Sequence, residues 1–155
     1  MNCQNPVLLG ATADGGYAEV MIAEARGIAS IPDELSSADA APLLCAGVTT
    51  YNALRNSGLR SGDLVAVQGI GGLGHLGVQY ARQMGFRTVA IARGRDKETL
   101  TKDLGAHVFI DAAAEDEAGA LCRMGGARSI LPTGTAGEGM AALVPVLAAR
   151  GKLFG

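Results

Sequence analysis

Short apolar segments alternate with amphipathic segments from about residue 64 to the end of the chain. Apolar runs of this length indicate strands buried on both faces, and the segments between them have helical spacing. The predicted strands are Leu64–Gln68, Thr88–Ala92, His107–Ile110, Ser129–Leu131 and Lys152–Phe154, the last present only in part. The predicted helices are Leu73–Met84, Asp96–Leu104, Glu117–Met124 and Gly139–Arg150, with Pro145 kinking or restarting the last one. This alternation predicts an α/β fold, a doubly wound parallel sheet of the Rossmann type with about five strands, the last of them truncated.

The region before residue 64 has a weaker pattern. Tyr17–Ile22 alternates between apolar and polar residues and predicts a strand, so a short β remnant is expected near the N-terminus. Ser36 or Ser37 should cap a helix that runs to Leu44. Gly47 is a candidate interruption, and a second helical piece is predicted over Thr49–Asn56.

The turn after the first predicted strand carries the most specific chemistry. Gly69, Gly71 and Gly74 have the spacing G-x-G-x-x-G, directly between a strand and the helix predicted to begin at Leu73. Gly72 and Leu73 join them as candidate coenzyme-binding residues. In this context the first glycine permits a tight turn, the second permits close approach of a pyrophosphate, and the third permits helix–strand packing. The helix N-terminus adds free N–H groups and the positive end of its dipole. We therefore expect dinucleotide binding at this turn.

The residues after the second predicted strand bear on which dinucleotide is bound. An acid about 20 residues past the glycines usually binds the ribose 2′-hydroxyl and selects NAD. Here that place holds Arg93, with Arg95 and Lys97 close by. Because a guanidinium pairs with a 2′-phosphate, this favours NADP over NAD, with FAD as a third choice. The alternative is that these are surface charges and that Asp96 caps the next helix.

Composition narrows the function classes without choosing among them. The 155 residues are 48% hydrophobic and 18% charged, which is typical of a globular protein. A net charge of −2 gives no electrostatic reason to expect a nucleic-acid or membrane partner. The N-terminus lacks the pattern of a signal peptide, so a cytoplasmic protein is expected. Its three cysteines do not indicate a disulfide framework.

Three stretches together resemble the zinc-dependent alcohol dehydrogenases of the medium-chain dehydrogenase/reductase family. They are DGGYAE at residues 14–19, APLLCAGVTTY at 41–51 and GGLGHLGVQYA at 71–81. The resemblance implies that Cys45 matches the last protein ligand of a catalytic zinc and that Thr49 lies beside the nicotinamide. It implies that Cys3 matches one cysteine of a structural zinc cluster. Residues 1–47 would be the remnant of a GroES-like catalytic domain with its connecting helix, and 48–155 the Rossmann domain.

By this resemblance the remaining zinc ligands would lie before Met1, so we expect a fragment or a truncated reading frame. Such a chain would be the NAD(P)-binding part of an alcohol or aldehyde oxidoreductase and inactive alone. Its partners would be a nicotinamide dinucleotide and, in the complete enzyme, a small alcohol or aldehyde; a homo-oligomer is compatible with the family. Two alternatives remain: a stand-alone, non-catalytic dinucleotide-binding module, and a zinc-free enzyme similar to quinone reductases.

Overall fold

The computed structural model describes residues 6–134 and 141–154. The chain divides into two compact units, Met1–Leu35 and Ser36–Gly155. The predicted domain boundary between residues 47 and 48 comes from the family resemblance, and it stays a prediction.

The first unit has little regular structure in the part that is described. It contains an isolated parallel bridge between Leu9 and Ala13 and a 3-10 turn at Ala25–Gly27. The predicted strand Tyr17–Ile22 is wrong, because these residues form bends and irregular backbone. A strand is stabilised by hydrogen bonds to a neighbouring strand, and alternation in sequence does not supply that neighbour. The side chains of Tyr17 and Ile22 are correspondingly exposed.

The second unit begins with a broken helical segment. Helix α1 is Ser37–Ala40, and the Ser36 hydroxyl accepts a hydrogen bond from the Asp39 N–H at 3.1 Å, which confirms Ser36 as the cap. A 3-10 turn at Ala41–Leu44 follows, and helix α2 is Ala46–Arg55. The interruption therefore falls at Cys45, with φ −126° and ψ −74°, and the expectation that Gly47 breaks the helix is wrong. Gly47 is instead where Tyr80 and Leu43 approach α2 closely.

A five-stranded parallel sheet forms the rest of the unit. The strands, in chain order, are β1 Leu64–Gln68, β2 Arg87–Ala92, β3 Val108–Asp111, β4 Ala127–Pro132 and β5 Leu147–Leu153. Their order across the sheet is β3-β2-β1-β4-β5, with every neighbouring pair parallel. The connecting helices are α3 Gly72–Gln83, α4 Glu98–Asp103 and α5 Glu117–Arg123. This arrangement confirms the doubly wound fold, with the strand order reversing direction between β1 and β4.

Both faces of the sheet are buried. Alternate residues of β1 enter different clusters: Leu64 and Ala66 pack with Leu121 of α5, whereas Val65 and Val67 pack with residues of α3. Helices α3 and α5 therefore cover opposite faces. This is why β1 and β2 read as nearly continuous apolar runs, since both of their faces are buried.

The end of the chain differs from its prediction. Residues 139 and 140 of the predicted helix Gly139–Arg150 lie outside the described residues, but its second half is a 3-10 turn at Val144–Val146 followed by β5. Pro145 stands in the first turn of the 3-10 segment, where its missing N–H costs nothing. Strand β5 begins at Leu147, so the predicted start at Lys152 is wrong. The pairing register with β4 shifts between Ala127 and Ser129, and Arg150 has φ 61°, an irregularity that hides the strand from a periodicity analysis.

Candidate functional site

The glycine turn after β1 is shaped by close backbone packing. Gly69 has φ +88°, a conformation that favours glycine. A Cβ added there would lie 2.9 Å from the Gly134 nitrogen and 3.2 Å from the Thr133 hydroxyl. A Cβ on Gly74 would lie 1.8 Å from the Gly69 carbonyl oxygen. The first and third glycines of the motif are therefore required by the packing of the turn itself.

The second glycine of the motif, Gly71, and its neighbour Gly72 face open space. Gly71 is the N-cap of α3 with extended backbone (φ −113°, ψ −150°), and no atom lies within 4 Å of a Cβ added at Gly71 or Gly72. The His75 N–H donates to the Gly71 oxygen at 3.1 Å, the first hydrogen bond of the helix. The amides of Gly72, Leu73 and Gly74 precede it and have no partner within the helix. This arrangement presents N–H groups and room for an anion at the mouth of α3.

The turn after β2 carries charge. Strand β2 ends at Ala92, which pairs in register with Asp111 of β3. Arg93 and Arg95 follow and are exposed. Arg95 contacts Glu98 (Nε to Oε2, 3.2 Å), whereas no hydrogen bond or ion pair joins Arg93 to any other described residue. Arg93 is therefore the cation of this turn that is free to meet a ligand.

Two further contacts shape the turn after β2. The Asp111 carboxylate accepts hydrogen bonds from the N–H groups of Gly94 at 2.7 Å and Ala113 at 2.9 Å. Asp111 thus holds the turn in place. The Lys97 ammonium donates to the Ile70 carbonyl oxygen at 2.7 Å and so links α4 to the glycine turn. Lys97 is also the N-cap of α4, without a side-chain cap, so the expectation that Asp96 caps this helix is wrong.

Carboxylates at the start of α4 and α5 have shifted acidities. The hydrogen bond from Lys102 to Glu98, at 2.7 Å, lowers the pKa of Glu98, with a smaller contribution from Arg95. Burial raises the pKa of Glu117, although the Gln68 amide, which donates to its Oε1 at 3.1 Å, acts in the opposite direction. Gln68 is the last residue of β1, so this pair lies directly before the glycine turn.

The candidate zinc residues do not form a cluster in the described part of the chain. Cys45 is a free, exposed thiol, and its carbonyl accepts the N–H of exposed Thr49 at 3.0 Å. Cys3 lies outside the described residues. Across residues 6–134 and 141–154, no group of three or more His, Cys, Asp or Glu side chains could hold a metal ion. Cys122 is an exposed thiol on α5.

The structure thus brings the glycine turn, Lys97 and the β2 turn to the carboxyl edge of the sheet. It adds one residue that sequence reasoning missed. Thr133 follows β4, and its hydroxyl donates to the Gly69 oxygen at 2.5 Å. Its position directly after a predicted strand could have indicated Thr133, because the carboxyl ends of neighbouring parallel strands meet at the same edge of the sheet. No helix in the described part of the chain is long and apolar enough to cross a bilayer.

Comparison with known proteins agrees with this geometry. The sequence model described as "Zinc-binding dehydrogenase" matches residues 72–155. An alcohol dehydrogenase of Aspergillus clavatus is 44% identical over 152 residues, which cover 98% of this chain and 39% of that protein. The solved alcohol dehydrogenase of the hyperthermophilic archaeon Aeropyrum pernix matches with a TM-score of 0.86 at 29% identity, covering 98% of this chain and 46% of that one.

A mycobacterial protein solved in complex with NADPH matches with a TM-score of 0.72 at 32% identity, covering 81% of this chain and 40% of that one. The chain spans less than half the length of each of these three relatives. The family match includes all of α3 and most of the sheet. Fold, glycine turn and sequence agree, and the chain belongs to the zinc-binding dehydrogenases of the medium-chain dehydrogenase/reductase family.

Proposed function

We propose that this chain is the coenzyme-binding part of an NADP-preferring, zinc-dependent alcohol or aldehyde oxidoreductase. One observation carries the proposal: the open N-terminus of α3 follows a closely packed glycine turn where the strand order reverses. In open α/β sheets, ligands bind outside the carboxyl ends of the strands at this point. When bound, the nicotinamide would supply hydride transfer to or from the substrate.

The residues of this chain would hold the coenzyme by its phosphates. The amides of Gly72 and Leu73 lie in the first turn of α3, where the dipole favours an anion. Gly71 leaves room for the pyrophosphate because no side chain occupies that space. Neutral N–H donors suit this role, since they bind the phosphate oxygens common to NAD and NADP and do not discriminate between them.

Discrimination would come from the turn after β2. Strand β2 ends in Ala92, which carries no carboxylate, and the nearby Asp111 carboxylate accepts the Gly94 and Ala113 N–H groups. Arg93 is exposed and has no partner among the described residues. Its guanidinium could pair bidentately with the 2′-phosphate of NADP. The NADPH complex of the mycobacterial relative supports this choice by analogy.

The zinc part of the proposal depends on residues beyond those described. A catalytic zinc takes three protein ligands, and among the described residues Cys45 belongs to no group of three potential ligands. The described residues do not by themselves make up a zinc site. We therefore propose that Cys45, Cys3 and Thr49 serve the roles implied by the family only in a longer polypeptide, and that this chain alone does not oxidise alcohols.

Calorimetric titration of the purified 155-residue chain with NADPH and NADH tests the proposal. We expect both to bind, NADPH more tightly. Metal analysis and an assay with primary alcohols and aldehydes accompany the titration, and neither zinc nor turnover is expected. Absence of binding by either coenzyme would refute the coenzyme-binding role. Turnover of an alcohol by this chain would refute its inactivity, and turnover of a quinone without zinc would favour the quinone-reductase alternative.

A further inference from the structure

We propose that Thr133 is a positioning residue that holds the glycine turn in the shape required for coenzyme binding. The inference rests on the proposed function for its ligand, but its structural part concerns the free chain. Thr133 follows β4 and lies beside the last residues of β1, at the point where the strand order reverses. It is half-buried, and no family motif singled it out in the sequence.

Two groups of Thr133 bind two successive carbonyls of the turn. Its backbone N–H donates to the Gln68 oxygen at 2.7 Å, which extends the pairing of β1 and β4 by one residue. Its hydroxyl lies 2.5 Å from the Gly69 oxygen and 3.1 Å from the Gln68 oxygen. A hydroxyl has a single proton. We assign that proton to the Gly69 oxygen, because that contact is the shorter of the two.

The Gly69 carbonyl is the part of the turn that most needs to be held. It lies where a Cβ on Gly74 would approach within 1.8 Å, and the Thr133 hydroxyl lies 3.0 Å from the same position. The carbonyl, the hydroxyl and the first turn of α3 are therefore in mutual contact. A displacement of the Gly69 carbonyl would move the start of α3 and the amides that precede its first hydrogen bond.

Lys97 holds the next carbonyl from the other side, with its ammonium 2.7 Å from the Ile70 oxygen. The turn is thus fixed at consecutive peptide groups by β4 and by α4. Fixing a site before the ligand arrives lowers the ordering cost of binding. The Thr133 hydroxyl is uncharged, so its hydrogen bond to the turn depends neither on pH nor on the charge of the coenzyme.

The Thr133→Val and Thr133→Ser variants test the role. Valine has nearly the same shape, but it replaces the hydroxyl with a methyl group that cannot remain 2.5 Å from a carbonyl oxygen. Loss of one hydrogen bond should raise the dissociation constant of NADPH about tenfold, corresponding to roughly 1.4 kcal/mol. Serine keeps the hydroxyl and should restore binding to within about twofold of the parent.

Thr88→Val is the matched control. Thr88 is fully buried near the start of β2, at the end of that strand away from the candidate site. Its hydroxyl donates to the Phe86 carbonyl at 3.2 Å. Both valine variants remove a side-chain hydrogen bond to a backbone carbonyl, so both can lower the melting temperature. Only Thr133→Val should weaken coenzyme binding. Equal weakening in both variants would overturn the proposal in favour of a general loss of stability.

Amide hydrogen exchange in the free chain separates this inference from the proposed function. In Thr133→Val, exchange of the amides of residues 69–76 should be at least several times faster than in the parent chain, whereas Thr88→Val should leave them unchanged. Unchanged exchange in Thr133→Val would overturn the positioning role even if NADPH binds. If the parent chain binds no coenzyme but exchange responds as expected, the proposed function fails and the positioning role stands.

Discussion

The turns after β1 and β2 lie at the same edge of one sheet, but different forces determine them. After β1, Gly69 and Gly74 are surrounded by backbone atoms at distances that exclude a side chain. After β2, Arg93 and Arg95 are exposed, and the ion pair of Arg95 leaves its side chain 78% accessible. Close packing of the backbone thus determines which residues the turn after β1 can hold, whereas exposed charge distinguishes the turn after β2. Under the proposed function, this difference makes recognition of the shared pyrophosphate and the choice between NAD and NADP separable by substitution.

The largest effect is expected from Gly74→Ala. Its Cβ would meet the Gly69 carbonyl at 1.8 Å, a backbone contact that only a shift of the turn can relieve. We expect unfolding free energy to fall by about 3 kcal/mol or more, together with loss of coenzyme binding. Chemical denaturation measures the first and calorimetry the second. Gly72→Ala, two residues earlier and in open space, should change stability by less than about 0.5 kcal/mol; similar losses of stability in both variants would contradict the packing argument.

Arg93→Asp should separate the two turns. A carboxylate in place of the guanidinium repels a 2′-phosphate, so the dissociation constant for NADPH should rise about 10- to 100-fold while that for NADH changes little. Arg87→Asp makes the same charge change at the exposed first residue of β2, at the other end of that strand. It should leave the ratio of the two affinities unaltered. Tighter binding of NADH than NADPH by the parent chain would refute the assignment of Arg93.

A smaller effect is expected from Glu98→Gln. Glu98 pairs with Arg95 and Lys102, and these partners lower its pKa, so it is ionised at neutral pH. Removing its charge frees Arg95 and lessens repulsion of a 2′-phosphate. Affinity for NADPH should rise about two- to fivefold, the range expected for exposed ion pairs. Asp103→Asn, at the far end of α4, is the control with the same charge change. Stronger binding of NADH in Glu98→Gln would count against this interpretation.

The smallest effect concerns Glu117, which burial leaves with a pKa raised above 4.5. A raised pKa means that the folded protein holds this proton more tightly than the unfolded chain, so stability falls as pH rises through the window just above 4.5. Glu117→Gln should remove that loss. It should stabilise the protein at pH 7 by less than about 0.5 kcal/mol, since the group is only partly buried, and by nothing at pH 3.

Denaturation curves at both pH values test this prediction. A glutamine at residue 117 still offers an oxygen to the Gln68 amide, so the contact before the glycine turn is preserved. Destabilisation at pH 7 would show that the ionised carboxylate contributes favourably, contrary to the direction given by burial.

Sequence reasoning succeeded where local pattern and burial agree. Strands β1 to β4 and the start of α3 were predicted because the apolar runs and glycine spacing report directly on a sheet buried on both faces. It failed at Tyr17–Ile22, where alternation had no partner strand, and at β5, where an irregular register and a positive φ at Arg150 hid the strand. Both failures concern pairing, which depends on residues distant in the chain.

The site shows the same division. Its glycines were found because a missing Cβ is a property of the residue itself. Thr133 was not, since its contact with Gly69 joins positions 64 residues apart.

The sequence by itself determined the parallel sheet, the glycine turn and the presence of Arg93 after β2, because each follows from local periodicity or residue type. Tertiary structure decided that Lys97 is engaged, since its ammonium donates to the Ile70 carbonyl 27 residues away, whereas the Arg95–Glu98 pair is a local i,i+3 contact. It also decided that Thr133 holds the Gly69 carbonyl. Folding creates these contacts by bringing the carboxyl ends of β1, β2 and β4 to one edge, and no local pattern encodes that meeting.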